Sequence, residues 1–429
     1  MFVTEGGEAL LKFREEVAQF SLHSAASRLS AEKKAKSEFS FSMYRAERKK
    51  RDENHFSKFG HLATQVSGSR PISSVSIGSN KCLTGSWCGD ATLWDLETLN
   101  PICLLENGYL DSRLCSVLYK DHFDELMFTG DSNGLIRMWR LDGDSKSHAI
   151  GSLSGHQGRV SQMVSFPHNQ KTSIKICSAS GDTTWRIWDV ATESSILLQE
   201  GHSKDVNSID VHPDGALVVT GGFDANGIVW DVRIGRPIFT LKGHSDAVVG
   251  VSFSANGILI ASGSQDNTAR IWDLRMLKSA YKLLAHTAPL TGVKFSKSQC
   301  HHSWGAIEGS PLLLTTSQDM TAKLWASSAE WAQVALLAGH SGKVMQGDIS
   351  EDARTIVTVS YDRTLKLWQV ADALKLTPKI RYLVSFLEAR GTEKKRANAA
   401  LSTAVQNKNR LKNRKKLRMT GEQWTEKRI

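Results

Sequence analysis

Seven tryptophans recur through the chain and limit its fold more than any other feature. They follow one another at spacings of 45, 49, 42, 42, 53 and 43 residues, and each ends a short apolar run. A repeat of about 40–45 residues is typical of β-propellers, in which each blade is a four-stranded sheet. Because a single blade cannot bury its own apolar faces, the repeat predicts an all-β, seven-bladed ring. The seven residues are Trp94, Trp139, Trp188, Trp230, Trp272, Trp325 and Trp368.

Five of the repeats also carry a histidine and an aspartate at regular positions. The aspartate lies six residues before the tryptophan, and the histidine lies 22, 26 or 33 residues before the aspartate. Buried imidazole, carboxylate and indole groups are costly unless they are hydrogen bonded. We therefore predict a structural chain in which the aspartate accepts from the histidine and a strand Ser or Thr links to the indole. Its members are His156, Asp182, Trp188, His202, Asp224, Trp230, His244, Asp266, Trp272, His286, Asp319, Trp325, His340, Asp362 and Trp368.

The first two repeats depart from this pattern. Cys88 and Asn133 occupy the aspartate position, and no Gly-His pair precedes them. We expect these two blades to be held more by packing than by such a network.

Composition and charge divide the chain into three predicted parts. Residues 1–57 form a charged helical arm of net charge +2, residues 58–370 a propeller of −3, and residues 371–429 a tail of +11, within a total of +10. The tail has a cluster of cations that contains no acid, which favours a nuclear-import or nucleic-acid patch over a merely solvating segment. The candidate RNA-binding residues are Lys408, Arg410, Lys412, Arg414, Lys415, Lys416 and Arg418.

No apolar run approaches the ~18 residues needed to cross a bilayer, so membrane association is not expected. The six cysteines lack a C-x-x-C spacing, which indicates free thiols in a reducing compartment.

The start of the propeller region offers one additional strand. The first blade reads from Ile72, and the stretch from His61 to Val66 precedes it. We predict that this stretch supplies the outer strand of the seventh blade, because such closure removes an exposed sheet edge.

The arm contains an amphipathic stripe. Leu10, Phe13, Val17 and Phe20 fall at i, i+3, i+7 and i+10, the spacing of one helix face. Two interpretations are open: the stripe packs on its own propeller, or it docks on a partner protein.

A set of seven positions is predicted to circle one mouth of the central channel. Each directly precedes the repeat's aspartate or its substitute, in the turn between the second and third strands. Exposed aromatics there would be partner-binding anchors, although they could instead cap the polar chain of their own blade. The residues are Trp87, Ser132, Gly181, Phe223, Gln265, Gln318 and Tyr361, of which Trp87, Phe223 and Tyr361 are the candidates.

The sequence contains no recognisable catalytic motif. A Gly-rich phosphate loop, a nucleophile elbow and an H-E-x-x-H pattern are all absent from it. Cys300, His301 and His302 form the only local metal-like cluster, but adjacent residues rarely bind one ion. A His–Asp pair repeated in five blades is expected to be structural, because a catalyst needs a single site. We therefore expect neither an enzyme, a cofactor, a metal nor a small-molecule substrate.

Several blade-specific segments carry a family resemblance. They read Gly-Phe-Asp-Ala-Asn-Gly-Ile-Val-Trp from Gly222, Gly-Ser-Gln-Asp-Asn-Thr-Ala-Arg-Ile-Trp from Gly263, Leu-Thr-Gly-Val-Lys-Phe from Leu290, Leu-Ala-Gly-His-Ser-Gly-Lys-Val-Met from Leu337 and Ser-Tyr-Asp-Arg-Thr-Leu-Lys-Leu-Trp from Ser360. These segments resemble the WD-repeat protein of the spliceosomal U4/U6 small nuclear ribonucleoprotein, the pre-mRNA-processing factor four type. The resemblance runs from Val17 to Trp368, since Phe20 to Leu29 is similar to a helical segment of that family.

The resemblance implies a nuclear, non-enzymatic scaffold of the U4/U6 particle and the tri-snRNP in pre-mRNA splicing. Members hold a pre-mRNA-processing factor three type protein and a cyclophilin through the region before the propeller, near U4/U6 RNA contacted directly or through partners. The family's upstream splicing-factor motif has no room before the helix in a chain that begins at Met1, so the cyclophilin contact lacks its expected motif. A generic WD-repeat scaffold, in ribosome assembly or as a ubiquitin-ligase substrate adaptor, is the alternative.

Overall fold

The structure is a computed structural model. It describes residues 4–5, 7–37, 59–105, 113–120, 125–141, 147–167, 174–297, 311–327 and 330–370. Within these residues the chain forms one helix and 29 strands, and the strands are grouped into seven antiparallel sheets. The helix α1 spans Glu8–Ser37, preceded by the short strand β1 at Thr4–Glu5 and followed by β2 at Phe59–Val66.

In blades 1 to 6 four strands follow one another along the chain, and in blade 7 three strands do. In order from the innermost strand, blade 1 contains β3 Ile72–Ile77, β4 Lys81–Ser86, β5 Ala91–Asp95 and β6 Pro101–Leu105; blade 2 contains β7 Leu114–Lys120, β8 Leu126–Asp131, β9 Ile136–Leu141 and β10 Ser147–Leu153; blade 3 contains β11 Val160–Ser165, β12 Lys175–Ser180, β13 Thr184–Asp189 and β14 Ser194–Glu200; blade 4 contains β15 Val206–Val211, β16 Leu217–Gly222, β17 Gly227–Asp231 and β18 Arg236–Leu241; blade 5 contains β19 Val248–Phe253, β20 Leu259–Ser264, β21 Ala269–Asp273 and β22 Lys278–Leu283; blade 6 contains β23 Leu290–Phe295, β24 Leu312–Ser317, β25 Thr321–Ala326 and β26 Ala332–Ala338; blade 7 contains β27 Val344–Ile349, β28 Thr355–Ser360 and β29 Thr364–Val370.

The innermost strands surround a central channel. Each contacts the innermost strand of the next blade, in the order β3, β7, β11, β15, β19, β23 and β27, and β27 contacts β3 again. The seven repeat tryptophans are all buried, since none is more than 7% exposed. The prediction of a seven-bladed ring is therefore confirmed.

Blade 7 is completed from the other end of the propeller region. Strand β2 pairs antiparallel with β29, from Phe59 opposite Val370 to Val66 opposite Thr364. Leu62 and Ala63 pack on the apolar cluster between blades 7 and 1. The predicted closing strand is confirmed, and it begins two residues earlier than the sequence suggested.

Side chains of the inner strands join every pair of neighbouring blades. In each case a polar side chain of one inner strand is hydrogen bonded to the backbone of the next inner strand, which satisfies groups that the ladder leaves free. The seven junctions are bridged by Ser73 to Leu114 at 2.8 Å, Ser116 to Val160 at 2.9 Å, Gln162 to Ile209 at 3.0 Å, Asn207 to Val249 at 3.0 Å, Ser252 to Phe295 at 3.1 Å, Thr291 to Val344 at 2.7 Å and Gln346 to Val75 at 3.0 Å.

Candidate partner-binding surface

The predicted polar chain runs through five blades. In blade 4 the Trp230 indole donates to the Thr220 hydroxyl at 2.8 Å, Thr220 lies 2.7 Å from Nε2 of His202, and Nδ1 of His202 lies 3.0 Å from Asp224. Blades 3, 5, 6 and 7 repeat this arrangement, with His–Asp distances between 2.8 and 3.1 Å. The structure thus brings all fifteen residues into five equivalent chains.

The bond partners fix which nitrogen of each histidine donates to the aspartate. The indole N–H can only donate, so the hydroxyl accepts from it, while the carboxylate can only accept and so takes a proton from Nδ1. The proton of the imidazole therefore lies on Nδ1 and is donated to the aspartate. A neutral ring agrees with the effect of burial, which lowers the pKa of His244, His286 and His340.

The aspartates of the chains are held in the ionised form. Burial disfavours the Asp266 carboxylate, but hydrogen bonds from Thr268 and His244 outweigh it and lower its pKa to about 2. Asp182 and Asp362 show the same direction for the same kind of reason.

Acid is expected to destabilise the ring in two stages. The unfolded state takes up protons on His244, His286 and His340 as the pH falls through 6.5, whereas the folded state resists them because its histidine pKa values are lower. This stabilisation is complete above pH 6.5 and declines below it. A second loss follows as the pH falls from 3.8 towards the pKa of about 2 of Asp266. Thermal melts at several pH values measure both stages, and an unchanged melting temperature between about pH 7.5 and pH 5 would contradict the first.

The same aspartates hold the turns at the mouth of the channel. The residue after each one has a positive φ, at Thr183, Ala225, Asn267, Met320 and Arg363. In blades 1 and 2, which lack the aspartate, the equivalent residues are Gly89 and Gly134. Glycine adopts this conformation at no steric cost, while other residues need a structure that enforces it. The aspartate supplies that structure by accepting the N–H two residues on, as Asp182 does from Thr184 at 3.0 Å.

Blades 1 and 2 keep part of the chain that sequence reasoning missed. The Trp94 indole donates to Thr84 at 2.9 Å, and the Trp139 indole donates to Thr129 at 3.0 Å. A Ser or Thr lies ten residues before all seven tryptophans, and this regularity would have predicted both bonds. These two blades thus retain one bond of the chain, and the expectation that packing contributes more than such a network stays a prediction.

The seven predicted mouth residues occupy equivalent positions. Each donates its backbone N–H to the residue that precedes an innermost strand, for example Trp87 to Pro71 and Tyr361 to Lys343. Trp87 and Tyr361 form an edge-to-face pair with ring centroids 5.8 Å apart. Tyr361 is 51% exposed, and Trp87 and Phe223 are half-buried. These aromatics therefore present part of their surface at the mouth.

The stripe on α1 packs on its own propeller. Leu10, Phe13 and Val17 are buried in the core cluster of blades 3 and 4, and Phe13 meets Phe166 edge-to-face at 5.4 Å. Phe20 is half-buried near Gly215. Of the two interpretations, self-packing describes the structure, and docking of this stripe on a partner stays a prediction that would require its apolar face to be uncovered.

Polar contacts hold α1 against the turns of blades 4 and 5 and against β12 of blade 3. Arg28 forms an ion pair with Asp214 at 2.5 Å and donates to the backbone carbonyl of Asn256, while Ser24 donates to Asp214 at 3.0 Å. Glu16 pairs with Lys175 at 3.2 Å.

Replacing Arg28 with Ala is expected to loosen α1 while leaving the ring intact. The substitution removes a partly buried ion pair and a hydrogen bond, which together contribute about 1 kcal/mol to the docking of α1. Because this raises the population of undocked helix about fivefold, chymotrypsin should cleave at Phe13 and Phe20 about fivefold faster. The exposed Lys12→Ala on the same helix is the control. Equal cleavage rates for the two variants would show that Arg28 does not hold the helix.

The central channel widens into a cavity of about 290 Å³ among the inner strands. One of its lining residues, Lys297, lies beside Asp210 of the innermost strand β15. Asp210 accepts from Ser252 and from Phe253, and it lies 3.5 Å from the Lys297 ammonium, which raises the pKa of that lysine. These contacts of Asp210, beside the cavity, join blades 4, 5 and 6.

Some predicted site residues lie outside the described part of the chain. They are Cys300, His301, His302 and the tail cations Lys408, Arg410, Lys412, Arg414, Lys415, Lys416 and Arg418. Among the described residues, no group of three or more His, Cys, Asp or Glu side chains could hold a metal ion. The described helix α1 likewise contains no stretch that is long and apolar enough to cross a membrane.

Comparison with known proteins agrees with the observed architecture. Five stretches match the family model described as "WD domain, G-beta repeat", at residues 147–189, 194–231, 235–273, 277–326 and 331–369. The chain is similar to the U4/U6 small nuclear ribonucleoprotein PRP4 of Saccharomyces cerevisiae, at 30% identity over 32% of this chain and 29% of the relative. It is 69% identical to the U4/U6 small nuclear ribonucleoprotein Prp4 of Mus musculus over 8% of this chain and 6% of the relative.

The similarity also extends to a relative with a different name. The nuclear distribution protein PAC1 of Komagataella phaffii is 28% identical over 33% of this chain and 30% of that protein. The matched segments thus span less than a third of the length of these relatives.

Proposed function

Starting from a seven-bladed WD-repeat propeller, we propose that this chain is a non-enzymatic scaffold of the U4/U6 small nuclear ribonucleoprotein and the U4/U6.U5 tri-snRNP. It acts in the nucleus, in pre-mRNA splicing, by holding partner proteins near the U4/U6 RNA. The observation that carries the proposal is the similarity to relatives named U4/U6 small nuclear ribonucleoprotein in yeast and mouse.

The chemistry of the ring supports a scaffold over an enzyme. The His–Asp pairs are repeated in five blades, and each is saturated by hydrogen bonds within its own blade. A general base needs a free acceptor at a substrate, whereas Nε2 of each histidine is already bonded to a Ser or Thr. The surfaces left for binding are the channel mouth and the outer faces of the blades.

The proposed partners follow from the family resemblance. They are a pre-mRNA-processing factor three type protein and the U4/U6 RNA, contacted directly or through that protein, with a cyclophilin as a further candidate. Because the apolar stripe of α1 is covered by blades 3 and 4, a partner that binds this region would meet the polar face of the helix or displace it. The tail cations would favour RNA backbone contacts by releasing counterions.

Purification of the tagged full chain, with sequencing of the bound RNA and mass spectrometry of the bound proteins, tests the proposal. Enrichment of U4 and U6 RNA, together with the factor three type protein, is the expected result. Loss of the RNA signal but retention of that protein after RNase treatment would separate protein contacts from RNA contacts.

A generic interaction scaffold is the second candidate, and the similarity to the nuclear distribution protein favours it. Ribosomal precursors in place of U4 and U6 RNA would indicate ribosome assembly, and ubiquitin-ligase subunits without RNA would indicate a substrate adaptor. Either outcome would overturn the splicing proposal.

A further inference from the structure

The channel mouth is polarised in its charge. Exposed cations precede or lie beside the innermost strands of four consecutive blades, at Lys343 in blade 7, Arg70 in blade 1, Arg113 in blade 2 and Arg159 in blade 3. Blade 4 places Lys204 and Asp205 side by side before its inner strand, and blade 5 places Asp246 there. An anion is therefore favoured over one arc of the mouth, although the ring as a whole has a net charge of −3.

The cations of this arc are available to a ligand. Arg159 lies 3.6 Å from Asp205, and both side chains are more than 40% exposed, so solvent weakens this pair. Arg113 and Lys343 form no ion pair with another residue in the described part of the chain.

Aromatic rings lie on the same arc, within reach of the cations. The Arg113 guanidinium lies 5.8 Å from the centroid of the Trp87 ring, and Trp87 in turn meets Tyr361 at 5.8 Å. The Arg159 guanidinium lies 5.6 Å from the centroid of the Phe223 ring. The mouth thus combines flat ring surfaces with neighbouring positive charge across blades 7, 1, 2, 3 and 4.

We infer that this aromatic mouth, formed by Trp87, Tyr361, Arg113, Arg159, Lys343 and Phe223, binds a segment of single-stranded RNA. Bases stack on aromatic rings and guanidinium planes, while phosphates bind the cations. The choice of RNA as the nucleic acid rests on the proposed function, whereas the surface itself is argued from its geometry.

The chemistry favours a single strand over the other anionic partners. In a duplex the bases are stacked inside and cannot reach the rings of Trp87 and Tyr361. An acidic peptide would use Arg113, Arg159 and Lys343 but would leave the aromatic faces without a matching group. A single strand satisfies both sets of side chains at once.

The test measures binding of a 5′-labelled oligouridylate by fluorescence anisotropy. The seven tail cations between residues 408 and 418 are replaced by Gln in one series, because the tail is itself a proposed RNA-binding segment. In this series and in the full chain, Tyr361→Ser and Trp87→Ala should each weaken binding by about tenfold. Trp87→Phe keeps a ring and should recover most of the affinity. Lys343→Glu should reduce both the affinity and its dependence on salt.

Arg354→Glu is the matched control, since this exposed arginine lies in the turn between β27 and β28, away from the β28–β29 turn that carries Tyr361. It should bind like the parent chain. Because Tyr361 is half exposed, Tyr361→Ser keeps the test valid even if Trp87→Ala fails to fold.

Unchanged oligouridylate binding by Tyr361→Ser and Lys343→Glu in the tail-neutralised series would overturn the inference. So would an oligoglutamate peptide that binds the mouth while oligouridylate does not. Neither outcome bears on the proposed function, because co-purification of U4 and U6 RNA through partner proteins could still occur. Conversely, oligouridylate binding without U4 or U6 RNA in cells would leave the surface intact and remove the splicing role.

Discussion

A chain that starts at Ser67 is expected to melt on the order of 10 °C lower than a chain that starts at Phe59, the first residue of β2. Both chains lack α1, so the difference reports on β2 alone. Without β2, the strand β29 becomes an unpaired edge, and the apolar contacts of Leu62 and Ala63 with the cluster between blades 7 and 1 are lost. The His61–Trp368 ring contact at 5.3 Å is lost as well.

Circular dichroism melts of the two truncated chains measure this difference. The shorter chain should also self-associate, because the freed edge of blade 7 can pair with another copy. Equal melting temperatures for two monomeric chains would mean that β2 does not hold the ring together.

Replacing His202 with Ala is expected to destabilise the propeller by about 2–4 kcal/mol, or on the order of 5–10 °C in melting temperature. The His202 side chain is 1% exposed, and its removal leaves a cavity between the Thr220 hydroxyl and the Asp224 carboxylate. An unpaired buried polar group costs more than the bond itself contributes. Thermal or denaturant unfolding measures the loss.

His23→Ala provides the control, because this histidine is exposed on α1. It should change stability by less than about 0.5 kcal/mol. The double variant His202→Ala with Asp224→Ala should lose less than the sum of the two single losses, since both act on one chain. Additive losses would contradict a connected chain, and a His202→Ala variant as stable as His23→Ala would contradict the chain altogether.

Periodicity predicted the ring because every blade repeats the same residue types at the same positions of its strands. The strand register explains why the ten-residue spacing between the Ser or Thr and the Trp is informative. Trp188 lies opposite Ile176 in the β12–β13 pair. Ser178, two residues after Ile176, therefore lies diagonally from Trp188 on the same face of the sheet. The indole and the hydroxyl therefore meet in every blade with a separation of ten residues. The same rule holds for Thr84 and Trp94 in blade 1, where the histidine and aspartate are missing.

Two other features could not be predicted from local pattern. The stripe on α1 showed an apolar face but not its partner, because the turns of blades 3 and 4 come together only in the folded ring. The bridges between blades join residues about 40 or more positions apart, such as Asn207 and Val249, or 271 apart in the case of Val75 and Gln346. Such pairs depend on how the blades stack, and a single sequence does not encode that in any short spacing.

The claim on which the site and both proposals depend is that seven blades close into one ring through β2 and β29. Peptide-resolved hydrogen exchange of the full chain tests it most directly. Amides of β2 should be protected to the same extent as those of β28 and β29, because the four strands of blade 7 open together. Exchange of β2 at the rate of an unstructured peptide, with β28 still protected, would contradict a closed ring.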